Sequence, residues 1–533
     1  MKYHIVDPDI KKISEKREMQ PLSLKVLSNM NLSEEQFDNL FFPVEVFPAC
    51  ENMDRIRERL LKAAQRGEKV FVFGDYDADG VCSTTLMVRF LQRLKIDVGY
   101  YIPNRLKEGY GLSTDKVLLA IEKGYQLIVT VDNGVAAFEA LRAARERGVE
   151  VIVTDHHNIP DGYDYDYLLH PTVFDDPAFR NMCGAGVVLQ LIRSFAMDDE
   201  KDWILAMVAT IGDMMPLFFE NRNIVKKGLD LLNRKGFKPI QYLSKKEVFD
   251  ESVIAFDVVP AINTLGRLAD RANVNNLVRY FLAEEETGMI HMADQIVALN
   301  KERQQLVKEA RRITPSESYA LPNYDIYVSS EYHEGIAGLL ANAYLNENHK
   351  PALVLVENEE GLKGSGRSPA GFNIFEDLNR YRELFSAFGG HNQACGLSLA
   401  KEKLPVLIDA LRSEEKAEVS EEKETAVKLE ISDLSLRAVE ELMSLKPFGE
   451  GFKLPLFYIP AIHQNYVSLI KGMYKKGSTF QNGEAIESIC FQTSVVKKLE
   501  SNDWNELIFT LGINEFKGKK TVSLNIKDVV EMD

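Results

Sequence analysis

Between about Ile56 and Asp155, short apolar runs alternate with charged, helically spaced stretches. A charged amphipathic segment leads into KVFVFGDYD, followed by TTLMVRFLQRL, DVGYYIP, LIVTVDNG, AFEALRAARERG and EVIVTDHH. This alternation predicts a parallel sheet with crossover helices. Three of the predicted strands, VFVF, LIVTV and VIVT, end directly in acidic or histidine residues. Open α/β sheets gather ligands outside the carboxyl ends of their strands, so the chemistry is expected there.

Further along, Glu220 to about Arg312 reads as helical and ends in HMADQIVALNKERQQLVKEARRI, whose mixed charge suggests a long exposed connector. A second α/β pattern begins at YDIYVSS and carries GLKGSGRSPAGF and AFGGHNQACGLSL. The polar run RSEEKAEVSEEKETA is a solvated linker or a helix end. Beyond it, LPLFYIPAI, AIESICFQ, NELIFTLGINEF and KTVSLNIKDVV, separated by polar turns, suggest a small β-barrel of OB type.

Length changes this picture little, since 533 residues exceed one ordinary core and require several domains. The net charge of −16 excludes a uniformly basic surface, so any nucleic-acid contact has to come from local patches. Five cysteines, widely separated and odd in number, fit reduced thiols and a cytoplasmic location. The N-terminus has no apolar signal region and no stretch approaches a membrane span, so a soluble protein without membrane association is expected.

The run Gly74-Asp75-Tyr76-Asp77-Ala78-Asp79-Gly80 places three carboxylates at alternate positions after a buried strand. In extended backbone alternate side chains share a face, and unneutralised carboxylates there repel one another, which a divalent cation relieves. The competing readings are a calcium loop, for which the closing glutamate is missing, and a merely polar turn. Asp132, in VDNG, and Asp155-His156-His157 stand at two further strand ends, and Asp213 follows WILAMVAT in GDMMPL. Asp132 or Asp213 alone reads as an ordinary helix cap. Imidazole together with carboxylates favours manganese, zinc or iron-type ions over calcium, with magnesium suited to an all-oxygen position. In Gly364-Ser365-Gly366-Arg367-Ser368 the alternatives are a phosphate cradle and a generic glycine-rich turn. Lys471, Lys475, Lys476, Lys517, Lys519 and Lys520, interleaved with Tyr466, Tyr474, Phe480 and Phe516, suit a single-strand-binding barrel face or an ordinary solvated one.

The order DYDADG, VDNG, DHH and GDMMPL, with GSGRSP and FGGH downstream, resembles the DHH phosphoesterase superfamily in its DHH–DHHA1 arrangement. YIPNRLKEGYGLS, CGAGVVLQL, INTLGRL, LNKERQQ and LKPFGEG make the chain similar, within it, to single-strand-specific 5′→3′ exonucleases. The resemblance implies an α/β multidomain protein: an N-terminal segment over residues 1–45, a parallel-sheet DHH catalytic domain over 46–225 and a helical connector over 226–312. An α/β DHHA1 substrate-binding domain over 313–426 and an OB-like barrel over 427–533 complete it. It implies two divalent cations, Mn2+ or Mg2+, with Asp77 and Asp79 on different ions, Asp132 between them, and His156 and Asp213 completing the second. Asp75 is a secondary ligand candidate, and some members carry a histidine where this chain has Phe73. His157 would face the substrate phosphate and Asp155 would orient the histidine pair. Ser365, Arg367, Ser368, Gly390 and His391 would face the metals across a cleft, with Arg105, Tyr110 and Arg267 along the substrate path. The family often has arginine where this chain has Ala261. The implied partner is single-stranded DNA, with a helicase and a single-strand-binding protein as candidate protein partners. The alternatives are a phosphodiesterase for short oligonucleotides or cyclic dinucleotides and an inactive nucleic-acid-binding scaffold.

Overall fold

The computed structural model describes residues 3–108, 111–415, 424–470, 474–501, 504–516 and 518–530. The chain forms two compact units, one of Val46–Met215 with Asn223–Glu421, the other of Met1–Glu45, Pro216–Arg222 and Glu422–Asp533.

The first unit contains a five-stranded parallel sheet in the order Val98–Tyr101, Val70–Phe73, Leu127–Val131, Glu150–Thr154, Tyr167–Leu169. Its central strands are almost continuously apolar because both faces are covered. Helix Ala78–Arg93 packs with Gly184–Ser194 and Glu200–Gly212, while Thr114–Glu122 packs with Phe138–Glu146. Cys82 lies in the buried wall of the first of these helices. The chain leaves Val70–Phe73 for the strand on one side and returns to Leu127–Val131 on the other, so the strand order reverses between these two. A crevice opens at such a switch point, beside the ends of Phe73 and Val131.

The same unit carries a six-stranded sheet in the order Phe385–His391, Ala394–Leu399, Gly361–Arg367, Ala352–Asn358, Asp325–Ser329, Glu317–Ala320. Helix Ala337–Asn348 makes the crossover between the parallel strands Asp325–Ser329 and Ala352–Asn358. The expected long connector is helix Glu286–Ala310, largely exposed, with Met289, Ala293 and Ile296 forming a narrow buried stripe at helical spacing.

In the second unit the N-terminal segment joins the C-terminal strands: Tyr3–Val6 pairs in parallel with Glu424–Lys428, which pairs in turn with Leu456–Ile470. The long strand Leu456–Ile470 also pairs with Tyr474–Gln481 and, through its first half, with Trp504–Phe516. Tyr474–Gln481 continues to Glu484–Cys490, Lys519–Val530 and back to Trp504–Phe516, so these five strands pair in a ring. Among the described residues no helix is long and apolar enough to cross a membrane.

Candidate metal centre and phosphate cleft

The carboxylates collect at the switch point because strand ends distant in sequence are neighbours in register, Phe73 beside Thr130 and Val131 beside Thr154. Asp77 caps helix Ala78–Arg93, accepting a hydrogen bond from the Gly80 amide at 3.0 Å. The Ala78 amide donates to Asn263 Oδ1 at 2.7 Å, which assigns a structural task to the asparagine of INTLGRL. Asp79, in the first helical turn, accepts from Ser83 Oγ at 3.2 Å and from the Gly184 and Ala185 amides at 2.6 and 2.7 Å. Those amides open helix Gly184–Ser194, where unpaired N–H groups and the helix dipole favour negative charge. Gly80 is required here, because a Cβ would lie 2.4 Å from the Asp75 carbonyl oxygen.

Asp132 adopts a left-handed backbone, φ 59°, immediately after its strand. Such strain in a non-glycine residue persists where the surroundings hold it and is common at functional sites. His156 Nε2 faces three carboxylates: Asp132 Oδ1 at 3.1 Å, Asp213 Oδ2 at 3.5 Å and Asp79 Oδ2 at 3.8 Å. Donor atoms of Asp79, His156 and Asp213 lie within 4.8 Å of one another, and so do those of Asp75, Asp77 and Asp132. These two sets share no residue. Asp132 and His156, with His157, form a third set of the same size, so Asp132 and His156 join the first two.

Without a cation this arrangement is electrostatically unfavourable. Burial, then repulsion from Asp77, pushes the Asp75 carboxyl well above the usual range; burial and Asp79 push Asp77 and Asp132 up, and Asp213 reaches about 8. Oδ1 of Asp75, Oδ1 of Asp132 and Oδ2 of Asp213 are buried without a hydrogen-bond donor. Oxygens left in this state beside an imidazole nitrogen are what a pair of hard or borderline divalent cations would fill.

Asp155 does different work. Its Oδ1 accepts from the His156 amide at 2.7 Å, the His157 amide at 3.2 Å and His157 Nδ1 at 2.8 Å, and its Oδ2 accepts from the Val135 amide at 3.0 Å. Burial opposes charge on both partners, yet the bond to Asp155 holds the His157 imidazole up at about 9 and Asp155 below the usual carboxylate range. A ring that keeps its proton in this way suits a phosphate oxygen better than a cation, although His157 also lies within reach of the third donor set. Phe73, at the position of the alternative histidine, is buried in the apolar cluster with Val135 and Val153.

The other candidates lie on elements of the same unit. Arg105 stacks over the Tyr76 ring with its guanidinium 5.0 Å from the centroid. Arg267 is held down to about 10 by burial and by the neighbouring cations of Arg105, Arg303 and Arg367. None of these four arginines pairs with a carboxylate among the described residues; Arg303 Nε donates to Asn300 Oδ1 and Arg367 Nη1 to the Gly366 carbonyl. Arg303 was not singled out in the sequence, where it is one charge among many on a helix; its place in LNKERQQ is a signal that could have found it. Ala261 is buried within helix Val259–Arg267. Ser365 and Ser368 are buried, and Ser368 Oγ donates to the Phe372 carbonyl, so Ser368 shapes the turn. Gly390, at φ 154°, leaves no room for a side chain against Ala394, and the His391 ring lies parallel to that of His157 at 6.1 Å. Tyr110 lies outside the described residues, as do Lys471 and Lys517. On the barrel, Lys476 is paired with Glu487 and Lys520 with Glu440, which lowers the net positive charge of that face.

A parallel α/β domain with an all-carboxylate set and a carboxylate–imidazole set at its switch point, joined in one unit to an arginine-bearing second sheet, defines a phosphoesterase of the DHH–DHHA1 class. Residues 69–212 match the DHH family, N-terminal domain, residues 323–417 the DHHA1 domain, and residues 425–528 the RecJ OB domain. The chain is 31% identical to the single-stranded-DNA-specific exonuclease RecJ of Bacillus subtilis, over 95% of this chain and 69% of that protein. It is 30% identical to the same exonuclease of Salmonella typhimurium, over 90% of each. The crystal structure of RecJ in complex with Mn2+ from Thermus thermophilus shares the fold, with a TM-score of 0.84 at 23% identity over 99% of this chain and 79% of that one. The chain belongs to the RecJ family.

Proposed function

We propose that the chain is a metal-dependent exonuclease that hydrolyses phosphodiester bonds of single-stranded DNA from the 5′ end and releases mononucleotides. The observation that carries this reading is the coexistence, in one unit, of two cation-binding donor sets and an arginine cluster that has no carboxylate partner among the described residues. When bound, two divalent cations would supply a hydroxide from water and stabilise charge on the phosphoryl group during in-line displacement. Asp75, Asp77 and Asp132 would hold one cation; Asp79, His156 and Asp213 the other. The Gly184 and Ala185 amides fix the orientation of Asp79, and Asp155 fixes that of both histidines. His157, protonated near neutral pH, would donate to a phosphate oxygen. Arg105, Arg267, Arg303 and Arg367 would take the phosphates of the bound strand, where guanidinium forks match phosphate geometry. Family membership supports the polarity, the preference for DNA, a role in DNA repair and recombination, and a helicase or single-strand-binding protein as partners. The five free thiols fit a cytoplasmic location.

Digestion of 5′-labelled, 3′-labelled and duplex oligodeoxynucleotides, and of RNA, with Mn2+ and with chelator tests the reading. Immediate release of labelled mononucleotide from the 5′-labelled single strand, with the 3′ label persisting in shortening fragments, is expected. Turnover confined to dinucleotides, or independent of metal, would refute it.

A further inference from the structure

Along strand Gly361–Arg367 successive side chains point to opposite faces. Leu362 belongs to the apolar core of the second sheet, so Lys363, Ser365 and Arg367 share the other face. Gly338, at the start of helix Ala337–Asn348, marks this face: a Cβ there would lie 3.0 Å from Arg367 Nη2 and 3.5 Å from Ser365 Oγ. Ser365 and Arg367 belong to the phosphate cleft described above, but the cleft does not account for Lys363. Its Nζ donates to the Leu106 carbonyl at 3.0 Å and lies 3.2 Å from Glu334 Oε2. Leu106 directly follows Arg105, the residue stacked over Tyr76.

The rest of that loop is tied to the catalytic domain and the connector. The Leu106 and Lys107 amides donate to Asn104 Oδ1 at 3.0 and 3.2 Å, Asn104 Nδ2 donates to the Ala269 carbonyl at 2.9 Å, and the Asn104 amide donates to Glu108 at 2.8 Å. Among the described residues, the Lys363 bond is the one hydrogen bond that reaches the loop from the second sheet. One strand therefore carries both the arginine on one side of the cleft and the ammonium group that holds the loop on the other side.

We infer that Lys363 is a positioning residue that sets the place of Arg105, so that a phosphate is gripped by Arg105 and Arg367 at a fixed separation. The inference rests on the reading of the arginine cluster as the phosphate cradle. Glu334, 3.2 Å from the ammonium group, directs it, and the carbonyl of Leu106 accepts a charge-assisted bond, stronger than a neutral one. Loss of the bond lets Arg105 wander without touching the metal centre. Such a defect weakens ground-state and transition-state binding alike, which raises KM and leaves kcat.

Lys363→Met keeps most of the stem and removes the donor, and Lys363→Arg restores a donor. On a 5′-phosphorylated oligodeoxynucleotide with Mn2+, full-length Lys363→Met is expected to raise KM about tenfold with kcat within about twofold, the partial exposure of the lysine limiting the effect. Lys363→Arg should recover most of the loss. In an Arg105→Ala background Lys363→Met should add nothing further; a lysine that binds phosphate itself would add its full effect. Amide exchange at Leu106 and Lys107 should quicken in Lys363→Met, and this readout does not depend on the substrate. Unchanged KM, an additive cycle, or unchanged exchange would overturn the inference. Should Lys363→Met not fold, Lys363→Gln, too short to reach Leu106, takes its place; failure of both to fold would assign Lys363 to sheet stability and overturn the inference equally. If the wild-type protein degrades no single strand, the proposed function fails while the exchange measurement still decides the clasp.

Discussion

Replacing Gly184 with alanine would place a methyl carbon 2.7 Å from Cβ of Asp132, 2.9 Å from its Cα and 3.0 Å from its Oδ1. Carbon atoms pack at about 3.5–4.0 Å, so about 1 Å of displacement is needed. The Asp132 backbone has little to give, because its amide donates to the Thr154 carbonyl at 3.0 Å and its φ of 59° is already strained. On the other side, the Gly184 amide is held 2.6 Å from Asp79 Oδ2. The displacement therefore falls on the carboxylates of Asp132 and Asp79, which belong to different donor sets. Metal–ligand distances tolerate only about 0.2 Å, and misplacement of a reacting group by about 1 Å can cost about 100-fold in rate. Overpacking itself should destabilise the fold by about 1–3 kcal/mol, too little to unfold a domain of this size. We expect Gly184→Ala to lose Mn2+ affinity in calorimetric titration and about 100-fold in oligonucleotide cleavage, with circular dichroism and single-strand binding retained. Gly186→Ala, about half a turn further along the same helix, meets the Met182 side chain at 3.1 Å and the Cys183 sulfur at an ordinary 3.8 Å, touches no carboxylate of the centre and serves as control. Wild-type Mn2+ binding and cleavage in Gly184→Ala would refute the claim that this contact sets the ligand positions. An equal loss in Gly186→Ala would attribute the effect to the helix instead.

Asp132→Ala removes the carboxylate common to two donor sets and is expected to lower cleavage at least about 1000-fold while strand binding by fluorescence anisotropy stays within a few-fold. The same variant, freed of a buried acid crowded by Asp79, Asp77, Asp75 and Asp213, should melt no lower than wild type in the metal-free state; a large drop would contradict the electrostatic account. Because the carboxyl groups of Asp75, Asp77, Asp132 and Asp213 are raised, the last to about 8, and only their ionised forms bind cations, metal uptake at neutral pH must release protons. Mn2+ affinity should accordingly climb with pH through neutrality and past about 8, with binding heats that change with the buffer's ionisation enthalpy; pH-independent affinity would count against it. Arg303→Ala should raise KM for single strands and reduce the slope of log KM against log salt by about 0.7, a value near zero marking a residue that does not neutralise a phosphate.

The residues of the metal centre are largely legible in the linear chain. Asp75 follows one apolar run, Asp132 closes another, and Asp155, His156 and His157 close a third; period and run length suffice to put these at strand ends. The extended spacing expected to set Asp75, Asp77 and Asp79 on one face gives way to a helix that Asp77 caps and whose first turn carries Asp79 to the other donor set. The α/β class and the strand-rich C-terminal region follow from the same local patterns. Which strand ends become neighbours is not local. The order that places Leu127–Val131 between Val70–Phe73 and Glu150–Thr154, and so sets Asp132 against both Asp79 and His156, comes from how crossover helices pack on the two faces. Gly184 looks like a flexible residue in CGAG and proves to be a spacer against Asp132, a role visible only once a helix beginning far downstream is docked on the sheet. Lys363 carries no distinguishing spacing and Arg303 only its place in LNKERQQ, since a surface charge and a cleft charge have the same sequence; for Arg303 its nearness to the Arg267 guanidinium, and for Lys363 a bond to a carbonyl across the cleft, tell them apart. The parallel pairing of Tyr3–Val6 with Glu424–Lys428 joins segments more than 400 residues apart. Apolar periodicity specifies that a strand needs a partner, and only packing of the whole chain specifies which one.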